Sequence, residues 1–235
     1  MPSPWTPLDE ALRSFRAGNA SATVLMRTDA GGSEEVPVAL FFRSPDDMGA
    51  AEREALRLAR GRVLDVGAGP GAHAVPLLGR GLDVTAVEIL PEARAVLRSR
   101  GVEDVRTGVG ALRPGELFDT ILVLMNGLGL SGSLGGLEPF LEGLAAVLVE
   151  EGQILADSTD PRSWEDPGDG RYPGEVHMQL GFGGRWGEPF PFLFVDADTL
   201  RSIASRTGLE VSVASEEEDG RYLARLTRRA PGAPR

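Results

Sequence analysis

From residue 62 onward, short apolar runs alternate with amphipathic stretches that close on glycine. RVLDV, LDVTAVE, EDVRTGV, FDTILVLM and QILADS read as strands, and the most nearly continuous of these runs suit burial on both faces of a parallel sheet. HAVPLLGRG, PEARAVLRSRG and GGLEPFLEGLAAVLVEEG read as the intervening helices, ending at Gly81, Gly101 and Gly152, where a left-handed closing residue avoids a Cβ clash. A further helix, DADTLRSIASRTG, precedes LEVSVAS and RYLARLTR, two alternating runs joined by the acidic turn EEEDG. The last strand is therefore expected antiparallel to its predecessor. The pattern predicts an α/β fold with a doubly wound, mostly parallel seven-stranded sheet and a C-terminal antiparallel hairpin.

The flanks break this rhythm. VLMRT and VPVALFFR, set around DAGGSEE, predict an N-terminal hairpin. Ser44-Pro45-Asp46-Asp47 combines a capping hydroxyl, a first-turn proline and an acid three residues on, which predicts a helix running through AAEREALRLAR to Gly61. After Ser158, Trp164, Tyr172, His177, Trp186, Phe190, Phe192 and Phe194 lie in a Gly/Pro-rich stretch too long for a plain connection. The expected organisation is an N-terminal hairpin and helix extension over residues 1–43, a main domain over 44–228 with an inserted flap at 159–195 facing the substrate, and a flexible tail at 229–235.

Composition narrows the chemistry. All 24 basic residues are arginine, so a Schiff-base lysine and a phosphate-loop lysine are both excluded. There is no cysteine, which removes thiolate nucleophiles, zinc–thiolate sites and iron–sulfur clusters. Two histidines, His73 and His177, are too few for a three-histidine metal site, and no metal is expected. A net charge of −11 without a basic run argues against nucleic acid as a partner. No apolar stretch approaches the roughly 18 residues of a spanning helix, and MPSPWTPLDEALRSF lacks the layout of a signal peptide. A cytoplasmic protein is expected, with no membrane partner, as a monomer or homodimer.

The most informative stretch is Val63-Leu64-Asp65-Val66-Gly67-Ala68-Gly69-Pro70-Gly71, a buried strand ending in an acid and a glycine loop that opens a helix. Glu88 ends the next strand, 21 residues beyond Gly67, where a carboxylate can accept both hydroxyls of an adenosine ribose; Ile89 beside it would press on the adenine face. Two cofactors fit this pattern. Gly67, Gly69 and Ala72 also match a dinucleotide fingerprint, so an NAD(P)-binding oxidoreductase is open. Three features favour S-adenosylmethionine instead. Asp65 would repel a pyrophosphate but attract a cation. A capped helix precedes the site-bearing strand, and the closing hairpin puts a reversed strand in the sheet.

VLDVGAGPG resembles the first motif of the class I S-adenosylmethionine-dependent methyltransferases, TAVEI the second, and FDTILVLMNGLGL with the following helix and EEGQILADS the motifs of the fourth and fifth strands. The resemblance covers about residues 44 to 228 and implies a Rossmann-like methyltransferase fold. It implies that Asp65, Gly67, Ala68, Gly69 and Gly71 hold the methionine part of S-adenosyl-L-methionine and Glu88 the ribose. Ile89, Leu112, Met125 and Asn126 would complete the donor site, with Asn126 and Gly127 at the methyl-transfer mouth. Where the family often has an acid after the third strand for the adenine amine, this chain has Gly108-Val109-Gly110-Ala111-Leu112. His73, in the first turn after the glycine loop, is a further donor contact or a structural hydrogen-bonder. Arg43, Asn126 and Trp186 are candidate substrate contacts. His177 is a candidate general base, with Asp157 and Asp160 as rivals. The function expected is methyl transfer to a small-molecule acceptor by in-line displacement; a catalytically silent nucleotide-binding module remains a third reading. Aminopropyl transfer from a decarboxylated donor uses the same fold, but an acid facing the amino-acid moiety disfavours it.

Overall fold

A computed structural model describes residues 3–164, 168 and 170–229 of the chain. Of the tail expected at 229–235, Arg229 is tied by its amide to Gly208 O at 2.9 Å, and residues 230–235 lie outside the described residues. The chain opens with α1 (Thr6–Arg16) and the hairpin β1 (Thr23–Thr28) and β2 (Ser33–Pro37), then reaches α2 (Ala50–Leu58). The alternating section follows: β3 (Arg62–Val66), α3 (Ala74–Gly79), β4 (Asp83–Val87), α4 (Pro91–Ser99), β5 (Asp104–Arg106), β6 (Phe118–Val123), α5 (Leu134–Ala146) and β7 (Leu148–Thr159). Next come β8 (Glu175–Phe182), β9 (Arg185–Trp186) and β10 (Phe190–Leu193), then α6 (Ala197–Ala204), β11 (Leu209–Glu216) and β12 (Arg221–Arg228).

The main sheet has seven strands in the order β11-β12-β7-β6-β3-β4-β5. The five strands from β7 to β5 are parallel, and β12 runs antiparallel to both β7 and β11, as the sequence predicts. Chain order reverses between β3 and β6, which makes the carboxyl edge there the ligand crevice of such a sheet. Each face carries its own core. On one, Leu137, Leu141 and Leu144 of α5 and Leu200 and Ile203 of α6 cover Ile121, Val123 and Ile154. On the other, Ala51 and Ala55 of α2, Leu77 of α3 and Leu97 of α4 cover Val63, Ala86 and Leu122. The strands are apolar because both faces are buried.

Several elements differ from the sequence reading. The hairpin is shorter: Val24 pairs with Val36, while Val38–Phe42 is a 3-10 helix, because Val38 turns into the core beside α1. Ser44 caps nothing on the backbone; its hydroxyl bonds Asp47 Oδ2 at 2.7 Å, and Pro45–Asp47 forms one isolated 3-10 turn. Met48, extended and buried, breaks the path, and α2 begins after Gly49. Its first-turn Ala51 amide is satisfied from far away, by Glu217 Oε1 at 2.9 Å. Gly152 does not close a helix but lies within β7, tucked so closely against Leu148 that a Cβ would sit 2.7 Å from its Cδ1.

The largest difference concerns the two flanking segments. β8 pairs antiparallel with β1, so the N-terminal hairpin and the segment after Ser158 form one second sheet, β10-β8-β1-β2, with β9 on β8. Val24, Val176, Met178, Leu180, Phe190 and Phe192 from this sheet pack with Ala11 and Leu12 of α1 and with Leu90 and Ala93 at the start of α4. Phe192 also presses on the loop after β6, where a Cβ on Gly129 would lie 2.2 Å from its ring. The second sheet thus sits over the carboxyl edges of β4 and β6. No helix among the described residues is long and apolar enough to cross a membrane.

Candidate active site

β3 delivers Asp65 to the carboxyl edge, and the chain then turns through Gly67, Gly69 and Gly71, with φ of +76°, +53° and +97°. Only glycine takes such angles without strain. The turn folds across the neighbouring strand, the Gly67 and Ala68 amides both donating to Val87 O. A Cβ on Gly69 would meet nothing within 4 Å and one on Gly67 only Leu130 Cδ1 at 3.5 Å, so the loop borders open space overhung by one leucine. Gly71 instead lets the loop and the start of α3 pass close to α4, since a Cβ there would lie 2.9 Å from Leu97 Cδ2.

Glu88, directly after β4, is buried and accepts from the Gly69 amide and the Leu90 amide, each at 2.7 Å. These two bonds fall on different carboxylate oxygens and the Ile89 amide adds to them, which still leaves the carboxylate acceptor capacity for a ligand. Asp65 is 1% exposed, and its Oδ2 has no hydrogen-bond partner. Asp157, near the end of β7, accepts from the Gly127 amide at 3.2 Å and from the Met125 amide. Met125 and Asn126, between them at the end of β6, are the two non-glycine residues with positive φ among the described residues, at 65° and 55°. Asn126 Oδ1 accepts from Thr159 Oγ1 at 2.9 Å. Such strained pairs persist only where surrounding bonds hold them. The turn is fastened from β7 on both sides.

Burial raises the pKa of Asp65 and of Glu88, and pushes Asp157 up to about 6 against the pull of the Gly127 amide. Glu52 behaves differently. Burial would raise it, but hydrogen bonds and charge from His73 and Arg43 prevail and hold it below the ordinary range. Four acids therefore gather at the rim, and Arg43 is already paired with one of them. A pyrophosphate would be repelled here, and a cation stabilised.

Of the predicted site residues, the structure brings Asp65, Gly67, Ala68, Gly69, Gly71, His73, Glu88, Met125, Asn126, Asp157 and Arg43 to the carboxyl edge. Ile89 lies there too, 52% exposed. Leu112 closes a single 3-10 turn, Val109–Ala111, in place of the missing acid, and Val109 on that turn is 50% exposed. Sequence reasoning missed Glu52, Val109 and Leu130, which carry no motif signal. Asp160 is spent on Arg162, at 2.6 Å.

His177 and Trp186 are not brought to this edge. Along β8, Val176 and Met178 point into the core against α1 and α4, so His177 points the opposite way, 56% exposed at its side chain, with Nδ1 3.2 Å from Asp29 Oδ2. Trp186 stacks under Arg27, whose Cζ lies 4.1 Å from the ring centroid. Strand alternation, which a one-dimensional reading of the insertion does not register, turns both away. Turnover of His177→Ala should match that of the unaltered protein at every pH from 6 to 9; a lost acidic limb in its pH–rate profile would restore His177 as a base.

No protein-family model matches the sequence, and no curated protein matches it. Solved structures do. The chain is similar to an S-adenosylmethionine-dependent methyltransferase from Bacteroides fragilis, crystallised with S-adenosyl-L-homocysteine, at 34% identity and a TM-score of 0.86 over 98% of both chains. It also shares its fold with a sugar N-methyltransferase from Streptoalloteichus (20% identity, TM-score 0.59, covering 85% of this chain and 96% of that one). An amino pentose methyltransferase from Micromonospora echinaspora is similar at 19% identity and a TM-score of 0.52, over 78% and 93%.

Proposed function

The chain belongs to the S-adenosylmethionine-dependent methyltransferases, and on that premise we propose that it methylates a small organic acceptor by in-line displacement. When bound, the donor supplies a methyl group on a sulfonium that departs as a neutral thioether. The observation that carries the assignment of residues is Asp65 Oδ2, a buried carboxylate oxygen without a partner, beside a glycine loop that borders open space. It suits the donor's ammonium. The free lone pairs of Glu88 suit two ribose hydroxyls, and Ile89 and Val109, exposed after adjacent strands, suit the two sides of the purine.

Support for a small acceptor comes from the surface. The chain is acidic, with no basic run for a nucleic acid. Leu130 and Leu40, 43% and 40% exposed, lie beside Gly67 and Arg43 respectively, giving the rim an apolar lip of the kind small-molecule sites use. The sugar-acting neighbours use the same fold on small molecules. Chemically, the residues at the rim supply alignment and exclusion of water, which can contribute about 7 to 11 kcal/mol when approach is collinear. An amine or phenolate acceptor needs no more than that. Asp157, bonded to the Gly127 and Met125 amides, fastens the turn, and an alcohol acceptor, which needs a base, would find this carboxylate at the same edge.

The test is to incubate the protein with methyl-labelled donor and a bacterial extract divided into small-molecule, protein and nucleic-acid fractions. Label should appear in the small-molecule fraction. Label in protein or nucleic acid would overturn the acceptor class.

A further inference from the structure

The turn at the end of β6 is the foot of an aromatic ladder. Gly129, in the 3-10 helix Gly127–Ser131, packs against the Phe192 ring. Phe192 meets Phe194 edge-on with centroids 5.2 Å apart, and Phe194 meets Trp164 in the same way at 4.9 Å. Trp164, in the segment after β7, ends the ladder at the surface, 36% exposed. Asp157 fastens the same turn through the Gly127 and Met125 amides and is itself 6% exposed. Its charged neighbours come from three elements: Glu52 of α2, His73 just before α3, and Arg221 of β12. Tyr222 of β12 also feels Asp157, but its hydroxyl is spent on Val195 O at 2.7 Å. His73 acts on Asp65 as well, so the carboxylates of β3 and β7 border one cluster.

The arginines around Asp157 are already engaged. Arg43 is paired with Glu52, Arg221 with Asp219 at 2.8 Å and Glu217 at 3.3 Å, and Arg162 beyond β7 with Asp160 at 2.6 Å. An anionic acceptor would meet carboxylates here and cations that have partners, whereas a cationic one meets a carboxylate and, leading away from it, aromatic rings. We propose that the acceptor is an alkylammonium compound that lays its body along the ladder from Phe192 to Trp164 and its nitrogen at Asp157, and that Asp157 is the catalytic base. This rests on the small-molecule reading above. An alkylamine in water keeps its proton up to about pH 10, so it needs a base that an amine already free of its proton would not. Asp157 takes that proton. The freed lone pair forms the bond to the methyl carbon while the carbon–sulfur bond breaks and its electron pair stays on sulfur, so the positive charge passes from sulfur to nitrogen. A sulfonium beside the nitrogen favours the neutral amine, which eases proton transfer to the carboxylate.

The experiment divides the small-molecule fraction of the extract by cation exchange at pH 7 and offers each pool to the protein with methyl-labelled donor. Label should be transferred only in the retained, cationic pool. Transfer into the unretained pool would overturn the alkylammonium class and leave the small-molecule reading intact; transfer into neither would overturn that reading. At saturating donor, Asp157→Asn should label the cationic pool about 100-fold more slowly at pH 7. Its rate should keep climbing to pH 9, as more of the acceptor loses its proton to water, whereas the unaltered protein should level off above about pH 6. Identical profiles would remove Asp157 as the base. Binding is read separately, by equilibrium dialysis of the purified labelled product against protein saturated with S-adenosyl-L-homocysteine. Trp164→Leu should bind the product about 3- to 30-fold more weakly with donor affinity unchanged. Unchanged product affinity in that variant would take the ladder out of the acceptor site.

Discussion

Replacing Asp157 with asparagine is expected to stabilise the ligand-free protein at pH 8 while weakening its function. Burial holds the Asp157 carboxyl at about 6, above an ordinary aspartate at 3.8. An acid whose native pKa is raised keeps its proton longer in the folded state. Its contribution is most favourable below pH 4, where both states are protonated, and falls as pH rises towards 6. Above that range the ionised, buried group costs about 3 kcal/mol relative to the unfolded chain. Asparagine keeps an acceptor for the Gly127 amide and carries no charge. Denaturant unfolding should show Asp157→Asn more stable by about 2 kcal/mol at pH 8, the difference from the full penalty reflecting a new amide N–H that needs a partner. The gain should disappear near pH 4. Donor affinity should fall severalfold, because the charge also holds the Met125–Gly127 turn and adds to the negative potential at the rim. Unchanged stability at pH 8 would show that Asp157 is not ionised at a cost in the native protein.

Glu88→Ala should lower affinity for S-adenosyl-L-homocysteine by about 2 to 4 kcal/mol, roughly 30- to 1000-fold, if two charged hydrogen bonds to the ribose are lost. The same carboxylate anchors the Gly69 and Leu90 amides, so the loop loses a support as well. Glu88→Gln separates the two roles. It keeps one acceptor for the loop and loses the charge, so calorimetry should place it between the unaltered protein and Glu88→Ala. Affinity unchanged in both variants would remove Glu88 from the donor site.

Much of this was legible along the chain. The run from Val63 to Gly71 and the acid at 88 lie on consecutive strand ends, so local periodicity and turn chemistry suffice to find them. The reversed β12 was likewise announced by a tight acidic turn. What escaped depended on contacts between distant residues. Glu217 caps α2 across 166 residues, which is why the local signal at Ser44 misplaced the helix start. β1 meets β8 only in space, so the hairpin and the insertion looked like separate attachments. Gly152 sits in a strand irregularity between Leu148 and Gln153, whereas a glycine after an apolar amphipathic run reads as a helix stop. Glu52 carries no motif signal, and only packing shows that it faces Arg43 and His73.

The central claim is that buried acids at the carboxyl edges of β3 and β4 receive a cationic nucleoside donor. A crystal structure with S-adenosyl-L-homocysteine tests it most directly. The account predicts the ligand's ammonium within hydrogen-bond distance of Asp65 Oδ2 and both ribose hydroxyls on the Glu88 carboxylate. A nucleoside bound elsewhere, with Asp65 still unpartnered and Glu88 bonded only to its loop amides, would contradict it.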